Sequence, residues 1–203
     1  MLVHVVTFQN TEEAALAALD PINTTNPAGA LVEARNNPTS LPNEYIGQDA
    51  ANPSNHRYCS DNAYISNDAN VTDVLEEAFT TMPHKKSQTL WFSMNPTSRK
   101  NLPDMALSMH SDHYFASYTI WENEEDDARC KAWVKRVTGN IAKYSDGAYL
   151  GDSDFQVRKT KFWSEENGKR LMEVRKIWDP KGIVCGYLDE TDRSGVDGLP
   201  NIL

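Results

Sequence analysis

Cysteine is scarce in this chain. Cys59, Cys130 and Cys185 are an odd number without CxxC spacing, which points to a reduced, intracellular protein rather than a disulfide-stapled one. No signal-peptide core is expected, because the apolar run Leu2 to Phe8 is short and contains His4. The longest apolar runs are strand-sized, so no segment is expected to span a bilayer and the location expected is cytoplasmic. Positive charge is in deficit too: 20 Lys and Arg against 29 Asp and Glu give a net charge of −9 and a pI near 5.0. Such a field repels nucleic acid, and no Lys/Arg cluster reverses it locally, so neither DNA nor RNA is expected as a partner.

Several catalytic signatures are also missing. There is no GxGxxG or GxxxxGK[ST], hence no dinucleotide or P-loop site. No GxSxG elbow, HExxH pair or His-x-Glu with Pro-Cys-x-x-Cys is present, so serine-hydrolase and zinc chemistries lack their groups. The acidic run Glu122 to Asp127 reads as a solvated first helical turn, and no metal is expected there.

What remains is 203 residues of ordinary composition, read as a single domain over 1–203 able to bury roughly two-thirds of its unfolded surface. Leu2 to Phe8 is β-branched and reads as a strand. A helix follows, with Asn10 at its start, Glu13 three residues on, and Pro21 as its stop. From Asn23 to Ser54 the chain is rich in Asn, Pro, Thr and Ala, with Leu31 to Ala34 and Tyr45-Ile46 as short strands; its length suits the border of a pocket. Val71, Val74, Leu75, Ala78 and Phe79 mark one face of a helix. Ser87 to Asn95 alternates as a strand, with Leu90, Phe92 and Met94 on one side and Thr89, Trp91, Ser93 and Asn95 on the other. Further on, Tyr114, Ala116, Tyr118 and Ile120 alternate with His113, Phe115, Ser117 and Thr119. A long amphipathic helix runs through Ala128, Ala132, Trp133, Val137, Ile141 and Tyr144. The last helix starts at the cap Ser164, buries Leu171, Val174 and Ile177, and stops at Asp179-Pro180. This order predicts an α+β fold: an antiparallel sheet with helices packed on one face and the other face left as a ligand site or an interface.

Three stretches near the C-terminus then carry a resemblance. Tyr149-Leu150-Gly151-Asp152 is followed by Phe162-Trp163-Ser164-Glu165-Glu166-Asn167-Gly168-Lys169-Arg170-Leu171 and by Ile177-Trp178-Asp179-Pro180-Lys181-Gly182. This resembles the closing motif of berberine-bridge-enzyme-like FAD-linked oxidoreductases, in which a Tyr-x-Asn strand, an aromatic-Gly-x-Asn-x-x-Arg-Leu helix and an aromatic-Asp-Pro turn follow one another. Gly151 stands at the Asn of the first motif. Ala106 to His110 with Tyr118 to Trp121 is similar to the family's Ala-Phe-x-His-Arg strand, with His110 in place of Arg, and His56 to Ile65 to its Arg-Ser-x-Tyr-Leu strand. The resemblance implies the family's substrate domain, whose flavin is held by a separate N-terminal domain that should precede Met1. The family's covalent flavin anchors belong to that domain, and Cys59 and Cys185 do not occupy the matching position, so no cofactor bound by this chain is expected.

If the Tyr114 side of the sheet meets the helices, Trp91, Ser93, Asn95 and Thr89 share an open surface with Phe115, Thr119, Ser117 and His113. Aromatic walls with hydroxyl, amide and imidazole groups suit a small apolar substrate. His113 is the candidate proton donor or acceptor, against a purely structural strand histidine. Tyr149 corresponds to the family's tyrosine beside flavin and substrate, a candidate donor to a developing oxyanion, and a buried core tyrosine is the competing reading. Asp152 reads as a turn acid rather than a base. The catalytic set expected is therefore His113, Tyr149 and Ser117. The leading functional expectation is a flavin-free enzyme of secondary metabolism that catalyses a redox-neutral cyclisation, cycloaddition of the pericyclase kind, isomerisation or elimination on an apolar, oxygen-bearing substrate. The alternatives are one half of a split or truncated FAD-dependent oxidoreductase, with FAD supplied by a separate domain, and a non-catalytic binding module. An uncovered sheet face also predicts a homodimer through that face.

Overall fold

Alternation and helical periodicity place most elements of the second half of the chain, and the strand register decides which side of the sheet becomes the core. The computed structural model describes residues 3–26, 28–101, 103–154, 157–158 and 160–181. Leu2, Gly182 and Cys185, all used in the sequence reading, lie outside the described residues. The chain divides into two compact units, Met1–Ser54 and Asn55–Leu203, where the sequence reading takes 1–203 as one.

The first unit holds α1 (Glu12–Thr25) and α2 (Leu41–Ala51). The strand expected over Leu2 to Phe8 is not formed, and residues 3–9 have no regular structure. The cap of α1 is Thr11, whose hydroxyl accepts from the Ala14 N–H at 3.2 Å. Pro21 does not stop α1. It sits inside the helix, where its ring removes only one backbone donor, while Thr24 and Thr25 donate back to the Asp20 and Pro21 carbonyls. Tyr45 and Ile46 are helical rather than extended, because Ser40 caps the segment and Pro42 lies in its first turn. Leu31 to Ala34 forms no strand. Neither helix buries a residue.

The second unit runs β1 (Arg57–Ile65), α3 (Val71–Thr80), β2 (Gln88–Ser93), the single turn α4 (Asn95–Ser98), β3 (His113–Trp121), α5 (Asp127–Ile141), β4 (Ser145–Gly147) and α6 (Glu165–Trp178). Its strands form one antiparallel sheet in the order β2-β3-β1-β4, so fold class and sheet type are as expected. β1 and β3 pair along their full length, from Arg57 opposite Trp121 to Ile65 opposite His113. Because opposed residues share a face, Cys59, Ala63 and Ile65 lie with Phe115 and Trp121. That set packs under Leu75 and Ala78 of α3 and Cys130, Trp133, Val134, Val137 and Ile141 of α5. Burying a large aromatic such as Phe115 or Trp121 contributes about 2–3 kcal/mol each by area.

The helices therefore cover the Phe115 side, the reverse of the expected orientation. Both sides of β3 are apolar enough to be core, so β3 alone is ambiguous. Its partner β1 breaks the tie: Cys59, Ala63 and Ile65 add small or aliphatic side chains to the Phe115 side, where the one buried charge, Asp61, is paired with Arg158, whereas Tyr58, Ser60, Asn62 and Tyr64 share the other face with Tyr114, Ala116, Tyr118 and Ile120. Arg57 Nε at 2.5 Å and Trp121 Nε1 at 2.7 Å both donate to Asp127 Oδ1, tying the start of α5 to the sheet end. Helix α6 begins at the expected cap, where the Ser164 hydroxyl accepts from the Asn167 N–H, and ends at Asp179. It buries only Gly168, which any side chain would drive into the Trp163 indole at 2.4 Å; Val174 and Ile177, expected to be buried, are exposed. Among the described residues no helix is long and apolar enough to cross a membrane.

Candidate functional site

Three strands present a row of aromatic and polar side chains on the sheet face turned away from α3 and α5. The register puts Tyr64, Tyr114 and Phe92 side by side across β1, β3 and β2, with ring centroids 5.1 Å apart for Tyr64 and Tyr114 and 6.1 Å for Phe92 and Tyr114. Asn62, Ala116 and Leu90 form the next row, and Tyr118, Ser60 and Gln88 the one after it. The turn Leu150–Asp152 lies against this face: the Tyr114 hydroxyl donates to Asp152 Oδ2 at 2.5 Å, and the same carboxylate lies close enough to Tyr118 to act on its phenol. Short phenol–carboxylate bonds of this kind are charge-assisted and among the stronger ones in proteins.

Burial pushes the phenols of Tyr114 and Tyr118 well above the usual tyrosine range and raises that of Tyr64, and the neighbouring Asp152 charge adds to the rise in all three. They are neutral donors at physiological pH. Tyr149 lies beside Tyr64 and Tyr118. A carboxylate ringed by neutral phenols can take a proton from a bound molecule, or orient its oxygen by hydrogen bonding, without itself being an exposed anion.

The turn is fixed from below. Fully buried Asn62 donates from Nδ2 to the Tyr149 carbonyl at 2.8 Å and to Ser153 Oγ at 3.0 Å, and its Oδ1 accepts from the Tyr149 N–H at 2.6 Å. Arg158 spans the next stretch, donating to Asp61 Oδ2 at 2.5 Å and to the Asn62 carbonyl at 2.6 Å, while the Asp154 N–H bonds the Ser60 carbonyl. Gly151 completes the geometry. The Tyr149 ring lies against its backbone, and a Cβ there would meet ring carbons at 2.7 and 2.9 Å.

The residues singled out from sequence are dispersed. Phe115, Ser117 and Thr119 are fully buried on the helix side, and neither hydroxyl has a hydrogen-bond partner. They do not share an open surface with Trp91. Trp91 is 44% exposed on the edge strand β2, stacked on half-buried His113 at 5.9 Å, with Thr89 bonded to Met82 sulfur on the same face. Ser93 ends β2, and Asn95, expected on the strand, opens α4 instead, because the Asn-Pro pair leaves the ladder. Tyr149 alone of the set lies beside the tyrosine face, in a turn rather than the expected strand. The sequence reading missed Tyr64, Tyr114, Tyr118 and Asn62 and set Asp152 aside. The available signal was parity: the three tyrosines occupy same-face positions on strands that pair.

The two best-defined hollows lie elsewhere. One, of about 160 Å³, is lined by Met105, Asn167, Arg170, Leu171 and Val174, and the other, of about 430 Å³, lies beside Thr81, Pro83, Arg129 and Trp133. Neither carries the carboxylate–phenol chemistry of the sheet, whose tyrosine face is no enclosed pocket: Tyr64, Tyr114 and Ala116 are buried, with Met94, Met109 and Tyr118 packed against them, and Phe92 and Tyr149 are exposed at its rim.

No family model and no solved structure matches the chain. Among characterised proteins it is 33% identical over 192 residues to the FAD-linked oxidoreductase ptmO of Penicillium ochrochloron, covering 94% of this chain and 43% of the relative. The FAD-linked oxidoreductase penO of Penicillium crustosum is 32% identical over the same coverage, and nodO of Hypoxylon pulicicidum is 26% identical over 93% of this chain and 42% of its own length. The chain thus spans less than half the length of the curated relatives it matches, and what it matches is a partial segment of these larger FAD-linked oxidoreductases.

Proposed function

We propose that the second unit forms the substrate wall of an FAD-linked oxidoreductase whose flavin is held by polypeptide outside these 203 residues, and that its substrate is an apolar, oxygen-bearing organic molecule. The observation that carries this reading is the Tyr114–Asp152–Tyr118 cluster on the sheet face left free of helices. The residues present suit the substrate side of a flavin site. Aromatic rings and neutral phenols fit an organic substrate, while the strands bring no Lys or Arg to this face to meet a cofactor diphosphate. A flavin, when bound, accepts a hydride from the substrate. Against that chemistry, Asp152 takes the proton that leaves the substrate oxygen or nitrogen, directly or through the Tyr118 hydroxyl. Tyr114 fixes the carboxylate, Phe92 and Tyr149 bound the substrate laterally, and Tyr64 backs Tyr114.

The redox-neutral, cofactor-independent reading draws less support. It relied on Trp91 and Phe115 as walls with His113, Ser117, Ser93 or Tyr149 as the polarising group, and Phe115 and Ser117 are core residues. The test is complementation. The purified chain is expected to be colourless and inactive, and to form a yellow complex when co-expressed with a flavin-domain polypeptide of the kind its relatives carry. Asp152→Asn is expected to keep the colour and lose substrate-dependent flavin bleaching. Tight FAD binding by the chain alone, no complex with the flavin domain, or turnover of a substrate with no chromophore present would each overturn the proposal.

A further inference from the structure

Asn62 is the one fully buried side chain whose amide grips the Tyr149–Ser153 segment from beneath the sheet face. It is not needed for strand pairing, since the β1 ladder uses its backbone and not its side chain. All three of its side-chain hydrogen bonds go to the segment that contains Asp152, one of them accepted from the Tyr149 N–H and two donated to the Tyr149 carbonyl and Ser153 Oγ. A buried amide satisfied on both of its ends in this way has one allowed orientation, so the segment it holds has one allowed height above the sheet. On the opposed position of β3 stands Ala116, the smallest apolar side chain on that strand face, which leaves room for the turn to descend between Tyr114 and Tyr118. Gly151 works in the same direction: without a side chain it lets the Tyr149 ring lie back over the turn instead of over the carboxylate.

We infer that Asn62 is a positioning residue that sets the Asp152 carboxylate against the Tyr114 and Tyr118 hydroxyls. The inference rests on the substrate-wall reading above, and it concerns a residue that touches neither substrate nor cofactor. Its consequence is a dependence: the short Tyr114–Asp152 hydrogen bond exists only while the Asn62 amide holds the Tyr149 backbone. Ser153 has a lesser share, because its hydroxyl also donates to the Tyr149 carbonyl and merely doubles the contact.

The test uses the full chain, without flavin or substrate. A phenol hydroxyl donating to a carboxylate at 2.5 Å gives a far-downfield, slowly exchanging proton resonance. It is expected in wild-type protein, absent in Tyr114→Phe and in Asp152→Asn, and absent or moved upfield in Asn62→Ala with the far-ultraviolet circular dichroism unchanged. Should Asn62→Ala fail to fold, Asn62→Asp carries the measurement: it keeps the acceptor for the Tyr149 N–H and loses both donated bonds, and the resonance is again expected to move or vanish. A resonance lost in Asp152→Asn but unchanged in the folded Asn62 variant overturns the positioning role and leaves the carboxylate–phenol pair standing. A wild-type protein without the resonance, or a resonance indifferent to Asp152→Asn, overturns the pair itself and with it the reading on which this inference rests.

Discussion

Replacing Arg158 by Met breaks the most buried ion pair among the described residues. The Asp61 and Arg158 side chains are only 2% and 14% exposed, and the guanidinium contacts both carboxylate oxygens, at 2.5 and 3.3 Å. Burial pushes the Asp61 carboxyl above its ordinary value of 3.8, and Arg158 is the largest influence pulling it back. Without Arg158 the carboxylate is left buried with the Asn62 backbone N–H as its hydrogen-bond donor, a situation that costs about 3–5 kcal/mol. That is a large share of the roughly 5–15 kcal/mol typical of a domain, and it lowers the melting temperature by roughly 6–20 °C. The sign of the pH dependence follows. A carboxyl whose folded value lies above its unfolded value binds its proton more tightly in the fold, so its contribution is fullest below the unfolded value and is lost as pH rises through the folded one. Arg158→Met widens that gap, so urea denaturation should show the variant's deficit shrinking between about pH 7 and about pH 5, as Asp61 takes up its proton. Adding Asp61→Asn should recover most of the loss at neutral pH. A deficit under about 1 kcal/mol, or one that does not change with pH, would refute the buried-charge argument.

Phe115→Ala should cost about 3–5 kcal/mol by leaving a cavity beneath α5, whereas Tyr118→Phe, which only removes a hydroxyl from the other face, should cost no more than about 1.5 kcal/mol. The opposite ranking in chemical denaturation would mean that the helices do not cover the Phe115 side. Gly151→Ala should displace the Tyr149 ring, since the new methyl would lie 2.7 Å from it, and the fluorotyrosine signal of Tyr149 should shift. Gly139→Ala, in open space on α5, should leave that signal alone and stabilise the helix by about 0.5–1 kcal/mol, and an unmoved signal in Gly151→Ala would show that the ring does not rest on Gly151.

Helix α3 and helix α6 were legible to within a residue or two, because each carries a capping residue or a clean apolar stripe and a stop. Strands β2 and β3 were legible from period-two alternation, and β1 from the family resemblance of His56 to Ile65. In the first unit only the helix α1 was, and the failures share a cause: local β-propensity in Leu2 to Phe8 and in Tyr45-Ile46 says nothing of whether a partner strand exists, and without one the cap at Ser40 wins. Burial along α6 was also over-read. Leu171, Val174 and Ile177 follow helical spacing, yet the helix packs through Gly168 on Trp163, so a stripe in sequence need not be a buried face.

The site illustrates a stricter limit. Alternation sorts β3 into two sets but cannot rank them, because Phe115 and Trp121 on one side match Tyr114, Ala116 and Ile120 on the other in apolar content. The ranking needs the partner strand, and pairing Arg57 with Trp121 rather than with a neighbouring residue is a fact of register that one strand's residues do not encode. Once that register is known, chemistry separates the faces: the Asp152 carboxylate, the phenols and the Asn62 amide gather where the helices are not, and Asp61 goes under them with the hydroxyls of Ser117 and Thr119. The exposed rim of the polar face is Phe92 and Tyr149, whereas Trp91 points to the other side of the same edge strand. A proton acceptor such as Asp152 gains strength from exclusion of water, so the proposed chemistry requires a second surface closing over Phe92 and Tyr149, and Trp91 lies outside that contact.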